Sequence, residues 1–132
     1  MKRATREWIK KAEADFRGAK HLARTKPPVH DLVCFHCQQT AEKYLKALLE
    51  ELGIAIAKTH ELERLLTVVS SHFPTLRSVW RGLRFLTPFA VDARYPGKTA
   101  AAREAATALR WAERIRTAAR SLLGLRERRG KP

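Results

Sequence analysis

Apolar positions along the chain recur every three or four residues, which is the spacing of one face of an α-helix. Runs of alternating β-branched residues, which would indicate strands, are nearly absent. A Pro-Pro pair follows the first periodic segment, Gly53 follows the second and Gly124 follows the last. We therefore predict an all-α fold, an antiparallel up-and-down helical bundle of four main helices plus one shorter helix. The predicted helices span residues 4–24, 30–52, 60–71, 76–86 and 99–123.

The last predicted helix carries a seam of small residues. Thr99 begins this helix after an irregular stretch over residues 87–97, which we predict to be a loop. The seam positions alternate between four- and three-residue spacing, and most are alanine, so a neighbouring helix can approach closely. The seam consists of Ala101, Ala105, Ala108, Ala112, Ile115, Ala119 and Leu122.

The composition indicates one strongly basic domain. The 132 residues are 45% hydrophobic, which is enough for a single core. We assign that core to residues 1–124 and a basic flexible tail to residues 125–132. The formal net charge is +14, and residues 64–132 hold 15 basic against 4 acidic side chains. Such a surface attracts phosphate polyanions, an acidic protein partner or anionic lipid.

The distribution of apolar residues also bears on location. The basic start of the chain is not followed by the apolar segment of a signal peptide. No apolar run approaches the roughly 20 residues that a membrane helix needs. Two cysteines in such a chain suit a reducing compartment. We expect a cytoplasmic protein without a membrane role.

The sequence VCFHCQQTAEKYLKALL places two cysteines and a histidine within four positions. Rotation by roughly 100° per residue puts Cys34 and Cys37 in the apolar arc of the helix, where a free thiol behaves as a small hydrophobe. His36 points away from them, so the three side chains cannot easily share one metal ion. A structural zinc site usually needs four ligands. We therefore predict core cysteines, no metal site and no cofactor.

A polar ridge occupies the other side of the same helix. His36, Gln39 and Lys43 follow at i, i+3 and i+7. Two further polar residues, Asp15 and Gln38, lie among apolar residues of their helices and need partners if they are buried. They can satisfy each other, a backbone group or an arginine, or they can belong to a binding site. The sequence leaves these alternatives open.

Several short segments carry a family resemblance. Asp15, CFHCQQTAEKYLKALL, KTHEL, ARYP and a long Ala-rich helix follow one another in this order. Together they resemble the HEPN domain (higher eukaryotes and prokaryotes nucleotide-binding) over about residues 4–123. The resemblance implies an all-α bundle that forms a homodimer with a polar cleft at the subunit junction. It also implies a minimal nucleotidyltransferase as protein partner, in a pair that behaves like a toxin–antitoxin module.

The ribonuclease motif of that family is incomplete here. Many HEPN proteins are metal-independent ribonucleases whose R-x4–6-H motif, near the start of the last helix, supports attack of a 2′-hydroxyl on the adjacent phosphate. Arg94 lies in the expected region, but the last histidine is His72, so the usual acid–base group is missing. His36 or His60 can replace it only by lying close in space. The sequence therefore favours a non-enzymatic role, with a ribonuclease toxin as the alternative.

The predicted function is nucleotide or RNA binding in a cleft that faces phosphate. In this interpretation Asp15 orients Arg94 through a charge-assisted hydrogen bond, and Tyr95 stacks on a base. A different alternative is a pure interaction protein, in which the last helix and the VHDLVCF segment form a partner surface. The arginines of the last helix either lie on a solvated face or contact phosphate. The predicted site residues are Asp15, His36, Gln39, Lys43, His60, Arg94 and Tyr95.

Overall fold

The protein is a helical bundle in a computed structural model that describes residues 1–55 and 62–125. Within these ranges there are helices and connecting turns but no strand, which confirms the predicted all-α fold. The helices are α1 (Arg3–Arg24), α2 (His30–Leu52), α3 (Leu62–Ser70), α4 (Trp80–Leu86), α5 (Phe89–Asp92) and α6 (Ala102–Leu122), with a 3₁₀ helix over Pro74–Val79.

Helix α2 lies at the centre of the bundle. It packs most extensively against α1 and α6, and it also contacts α3, α4 and α5. Three of its large side chains, Tyr44, Leu45 and Leu48, are fully buried. Five of the seven residues of the predicted seam face this core and are buried, namely Ala105, Ala108, Ala112, Ile115 and Ala119. Of the other two, Leu122 is half-buried, and Ala101 is exposed and precedes the helix.

Two glycines have positions that other residues would not tolerate. Gly53 ends α2 in the left-handed conformation with φ of 73°, and its N–H donates to the Glu50 carbonyl. Gly82 lies where α4 meets α6, and a Cβ built on it would lie 2.3 Å from Cε3 of Trp111. The absence of a side chain at Gly82 is therefore what allows the two helices to pack this closely.

The last helix begins later than predicted. The chain is extended at Ala101, with ψ of 163°, and α6 starts at Ala102 rather than at Thr99. Two carboxylates hold the preceding backbone: Asp31 accepts the Ala100 N–H at 2.6 Å, and Glu104 accepts the Ala101 N–H at 2.9 Å. This helix start is therefore held by one long-range hydrogen bond, to Asp31, and one local hydrogen bond, to Glu104, and only the local one lies within the segment itself.

Other predicted boundaries also change. Residues 87–97, predicted as a loop, include the short helix α5. Residues 76–79, predicted as the start of an α-helix, belong to the 3₁₀ helix that begins at Pro74, where proline suits the first turn. The predicted N-cap Thr59 and residues 126–132 of the predicted tail lie outside the described residues. Leu125, also assigned to the tail, packs against the core.

A helix that crosses a bilayer must be both long and apolar. None of the described helices meets both requirements. Helix α2, the longest of them, interrupts its apolar arc with buried polar residues, among them Gln38 and Glu42.

Candidate functional site

The two cysteines belong to the core, as predicted. Both Cys34 and Cys37 are fully buried and unpaired. Burial, with help from the nearby Glu104 and Asp31 charges, raises the pKa of Cys34 to about 12, and burial raises the pKa of Cys37 as well. Such thiols are not reactive at neutral pH. Within residues 1–55 and 62–125, no group of three His, Cys, Asp or Glu side chains is placed to hold a metal ion.

The polar ridge of α2 meets a carboxylate of α1. Asp15 Oδ1 lies 2.9 Å from Nδ1 of His36, and Asp15 Oδ2 accepts a hydrogen bond from Lys43 Nζ at 2.6 Å. Residues seven apart on a helix lie two turns apart on the same face, so one carboxylate between them can bind both. We call these three residues the Asp15 cluster.

The electrostatics of the cluster favour an ionised carboxylate. Burial raises the pKa of Asp15, but the hydrogen bonds and charges of His36 and Lys43 lower it by more, so the net pKa lies below its usual value. The Asp15 side chain is 12% exposed, whereas His36 is 29% and Lys43 22% exposed. The carboxylate therefore lies beneath two groups that reach the surface.

Arg94 and Tyr95 lie beside the Asp15 cluster. The guanidinium carbon of Arg94 is 5.5 Å from the centre of the Phe35 ring and 5.7 Å from the centre of the Tyr95 ring. The Phe35 ring also meets the His36 ring edge-on at 5.4 Å between centres. The Arg94 guanidinium, which lies close to both the Phe35 and the Tyr95 rings, thus extends the surface that begins at His36. We call Phe35, Arg94 and Tyr95 the aromatic stack.

The predicted pairing of Asp15 with Arg94 is wrong. Both Asp15 oxygens face α2, where His36 and Lys43 bind them. Arg94 Nε instead donates to the Ala90 carbonyl at 3.0 Å, one helical turn earlier in its own segment. The reason is geometric, because α5 packs on the side of α2 that carries Phe35 while α1 packs on the side that carries Lys43.

Gln39 belongs to a series of linked polar groups on α2. Its amide donates to Gln38 Oε1 at 2.6 Å, Gln38 donates to Glu42 at 3.0 Å, and Glu42 accepts from Lys46 at 3.0 Å. Gln38 thus finds its partners on its own helix and not at Asp15. Of this series only Gln39 was predicted as a site residue, and its contact with Gln38 takes one of its two amide N–H donors. The remaining predicted site residue, His60, lies outside the described residues.

A second cluster escaped the sequence interpretation. Glu13 accepts two hydrogen bonds from the Arg116 guanidinium, from Nε at 2.6 Å and from Nη2 at 2.9 Å. It also accepts a hydrogen bond from the Tyr44 hydroxyl, and Arg120 Nη1 lies 3.9 Å away. The i, i+4 spacing of Arg116 and Arg120 is visible in the sequence, but the acid that they share belongs to the first helix. We call these four residues the Glu13 cluster.

The relatives of the chain agree with this architecture. The profile described as HEPN domain matches residues 5–122. The chain belongs to the HEPN domain family. The crystal structure of an archaeal HEPN homologue is 28% identical and superposes with a TM-score of 0.75, covering 93% of this chain and 99% of that chain. The crystal structure of a protein from Thermus thermophilus is 22% identical, has a TM-score of 0.79 and covers 89% of this chain and 96% of that one.

No curated protein matches this HEPN chain. The resemblance stated from the segments around Asp15 and the run CFHCQQTAEKYLKALL is confirmed at the level of family and fold. The archaeal structure is named only as a HEPN homologue, and that name gives no ligand. The side chains of this chain are therefore the basis for inferring what its site binds.

Proposed function

We propose that this HEPN domain binds nucleotides or RNA at the surface formed by the Asp15 cluster and the aromatic stack. The observation that carries the proposal is their contact: one face of α2 presents His36 and Lys43, and the neighbouring Phe35 ring supports Arg94. Cationic donors beside an exposed aromatic ring are the groups that bind phosphates and bases.

The donors of this surface retain capacity for a ligand. Lys43 Nζ has three N–H donors, and within the described part of the chain Asp15 takes one of them. Arg94 uses Nε for the Ala90 carbonyl, and among the described residues its terminal nitrogens make no hydrogen bond. Tyr95 is 59% exposed, so a base can stack on the ring face that Arg94 leaves open. The formal net charge of +14 adds a general attraction for polyanions.

The test compares two doubly substituted proteins of equal charge. We expect Arg94→Ala with Lys43→Ala to weaken binding of a fluorescein-labelled single-stranded RNA by about tenfold or more in fluorescence anisotropy. The control, Arg77→Ala with Arg81→Ala, removes two exposed cations away from the site and is expected to cost about threefold at most. Equal losses in the two variants would show that only the overall charge matters, and the proposed site would then be wrong.

We also propose that the chain acts as a homodimer together with a minimal nucleotidyltransferase, in a toxin–antitoxin-like pair. Membership of the HEPN family supports this assignment, and a charge of +14 suits an acidic partner face. Light scattering coupled to gel filtration tests the dimer, which requires twice the chain mass of 15.1 kDa. Co-expression with a nucleotidyltransferase encoded next to this chain tests the pair. A chain that stays monomeric and does not bind that nucleotidyltransferase would exclude both assignments.

A metal-independent ribonuclease is the second candidate, and one specific contact favours it. An ionised carboxylate only accepts hydrogen bonds, so the Asp15 contact places the proton of a neutral His36 on Nδ1 and leaves Nε2 as a proton acceptor. Nε2 has no partner in the described ranges. Such an imidazole can take the proton of a 2′-hydroxyl as its oxygen bonds to the adjacent phosphorus and the P–O5′ bond breaks, while Lys43 and Arg94 neutralise the developing charge. The 5′-oxygen leaves as a hydroxyl after taking a proton from the His36 imidazolium or from water, and the other product carries a 2′,3′-cyclic phosphate.

Incubation of the purified protein with structured RNA and EDTA tests this candidate. If it is correct, products with cyclic-phosphate ends form, His36→Ala abolishes them and His72→Ala, an exposed histidine elsewhere, does not. If RNA is still cleaved after substitution of His36 or of Arg94, the assignment of these residues to catalysis is wrong. Absence of any cleavage would leave the binding role as the function.

A further inference from the structure

A groove of about 470 Å³ lies between α1 and α6, apart from the surface formed by the Asp15 cluster. Its floor is apolar, formed by Phe16 and Leu109. Its rim carries three cations, Lys20, Arg110 and Arg114, and one acid, which gives the lining a net positive charge. The complete lining is Phe16, Lys20, Leu109, Arg110, Glu113 and Arg114.

The two helices that form the groove run antiparallel. Glu13 of α1 binds Arg116 of α6, and Lys20 of α1, two turns later, lies opposite residues 110 to 114, earlier in α6. Two antiparallel helices with an apolar trough between them offer the packing surface that a third helix needs. The outer cations Arg17 and Arg103 are exposed and add to the positive charge of these two helices.

From this geometry we infer that the α1–α6 groove is a docking site for an amphipathic helix of a partner protein that has acidic flanks. Leu-type side chains of that helix would pack on Leu109 and on the small part of Phe16 that stays exposed, and its flanking carboxylates would meet Lys20 and Arg114. This surface is separate from the one proposed to bind RNA, so either assignment can fail without the other.

The aromatic residues of the groove are unsuited to RNA bases. The Phe16 ring is only 4% exposed, with Lys20 Nζ at 4.8 Å and the Arg116 guanidinium at 5.2 Å from its centre. The Arg114 guanidinium, on the rim, similarly lies 4.6 Å from the centre of the ring of Trp111, a residue outside the groove lining. Because cations already occupy these rings, stacking of bases is not available here, in contrast to Tyr95.

A second copy of the chain is also a poor occupant. A two-fold contact through the groove would bring Lys20, Arg110 and Arg114 of each copy against the same residues of the other. Like charges that meet in an interface oppose association. Charge complementarity therefore selects an acidic helix.

The experiment uses two synthetic fluorescein-labelled helical peptides and the full chain. Both peptides carry leucines at i, i+3, i+4 and i+7; one has glutamates on the flanks and the other has lysines. The groove variant is Lys20→Glu with Arg114→Glu; both side chains are exposed, and circular dichroism checks that the variant keeps its helical content. The control, Arg3→Glu with Arg77→Glu, makes the same change of charge far from the groove, since Arg3 begins α1 more than four turns before Lys20.

The inference predicts that the glutamate peptide binds the unchanged protein and the lysine peptide does not. We expect the groove variant to lose about tenfold or more of this affinity and the control about threefold at most, while the lysine peptide gains binding to the groove variant. Equal losses in the two variants, or equal binding of the two peptides, would overturn the inference. It would also be overturned if the groove variant lost RNA binding while peptide binding stayed unchanged.

Discussion

Two carboxylates stand two positions apart on α1 and face different neighbours. Glu13 binds Arg116 through a two-point contact at 2.6 and 2.9 Å, with Tyr44 and Arg120 beside it. Asp15 binds His36 and Lys43 through one contact each, at 2.9 and 2.6 Å. Because successive helical residues turn by roughly 100°, a step of two positions carries the side chain to almost the opposite side.

The Glu13 cluster connects three helices, and its donors Arg116 and Tyr44 bind Glu13 within the protein. Its members come from α1, α2 and α6, and the Arg116 guanidinium also lies 5.2 Å from the Phe16 ring centre. Burial raises the pKa of Glu13, but the hydrogen bonds of Arg116 and Tyr44 and the nearby arginine charges lower it by more. Such a cluster holds α6 against the rest of the bundle.

The Asp15 cluster connects two helices and presents its donors outward. His36 and Lys43 belong to the same helix, so their contacts with Asp15 join only α1 and α2, which already pack extensively against each other. Their side chains remain 29% and 22% exposed. Glu13, which binds one guanidinium at two points, thus has a structural role. The partners of Asp15 keep N–H groups that the cluster does not use, and they present these donors at the surface.

Loss of the Glu13 carboxylate is expected to have the strongest effect on stability. Glu13→Ala removes the acceptor shared by the Arg116 guanidinium and the Tyr44 hydroxyl, together with the negative charge 3.9 Å from Arg120, so we expect the free energy of unfolding to fall by roughly 2–3 kcal/mol. Asp15→Ala is expected to cost only about 1 kcal/mol because its partners can turn to water. Urea denaturation followed by circular dichroism measures both, with the exposed Glu7→Ala as control. Equal losses for Glu13 and Asp15 would contradict the assignment of different roles.

Exchanging the two kinds of cation tests the role of guanidinium geometry. Arg116→Lys removes the two-point contact and the planar group over Phe16, and we expect a loss of about 1.5 kcal/mol in unfolding free energy. Lys43→Arg keeps a donor for Asp15 and is expected to change stability by about 0.5 kcal/mol at most. Urea denaturation again measures both changes. Tolerance of lysine at position 116 would show that charge alone holds α6.

Acid titration tests whether both carboxylates are ionised in the folded protein. The pKa values of Glu13 and Asp15 are both lowered by folding, from ordinary values of 4.5 and 3.8. Each therefore contributes stability that is present above those values and is lost as the pH falls through the lower folded pKa. We expect Glu13→Gln and Asp15→Asn each to make unfolding free energy less dependent on pH below about 4.5. Denaturant titrations at several pH values check this, and an unchanged pH dependence would count against an ionised role.

Lys43 is expected to contribute least to stability while contributing clearly to binding. Lys43→Ala should alter unfolding free energy by about 0.5 kcal/mol or less, yet lower the slope of log Kd for RNA against log salt by about one. Arg116→Ala should do the reverse, destabilising the protein while leaving that slope unchanged. Salt titrations of RNA binding measure the slopes. If both variants change the slope equally, the two clusters do not differ in function.

The helices, and the side that each residue takes on its own helix, could be predicted from the amino-acid sequence. The apolar arc of α2 placed Cys34 and Cys37 in the core, and Gly53 ended the helix where predicted. These features depend on rotation per residue and on backbone conformations that only glycine adopts readily, and both are local properties. The ordered segments were also sufficient to indicate the HEPN family, which the profile over residues 5–122 confirms.

Which charges meet could not be predicted in this way and became visible only in the packed bundle. There Asp15 pairs with His36 and Lys43 in place of Arg94, and Glu13 joins residues far along the chain. The Asp31 contact likewise moves the start of α6. The helical period determines the direction in which a side chain points. The partner that it reaches depends on the register and the crossing angle of the neighbouring helices. Packing of the whole core sets those quantities, and no single segment encodes them.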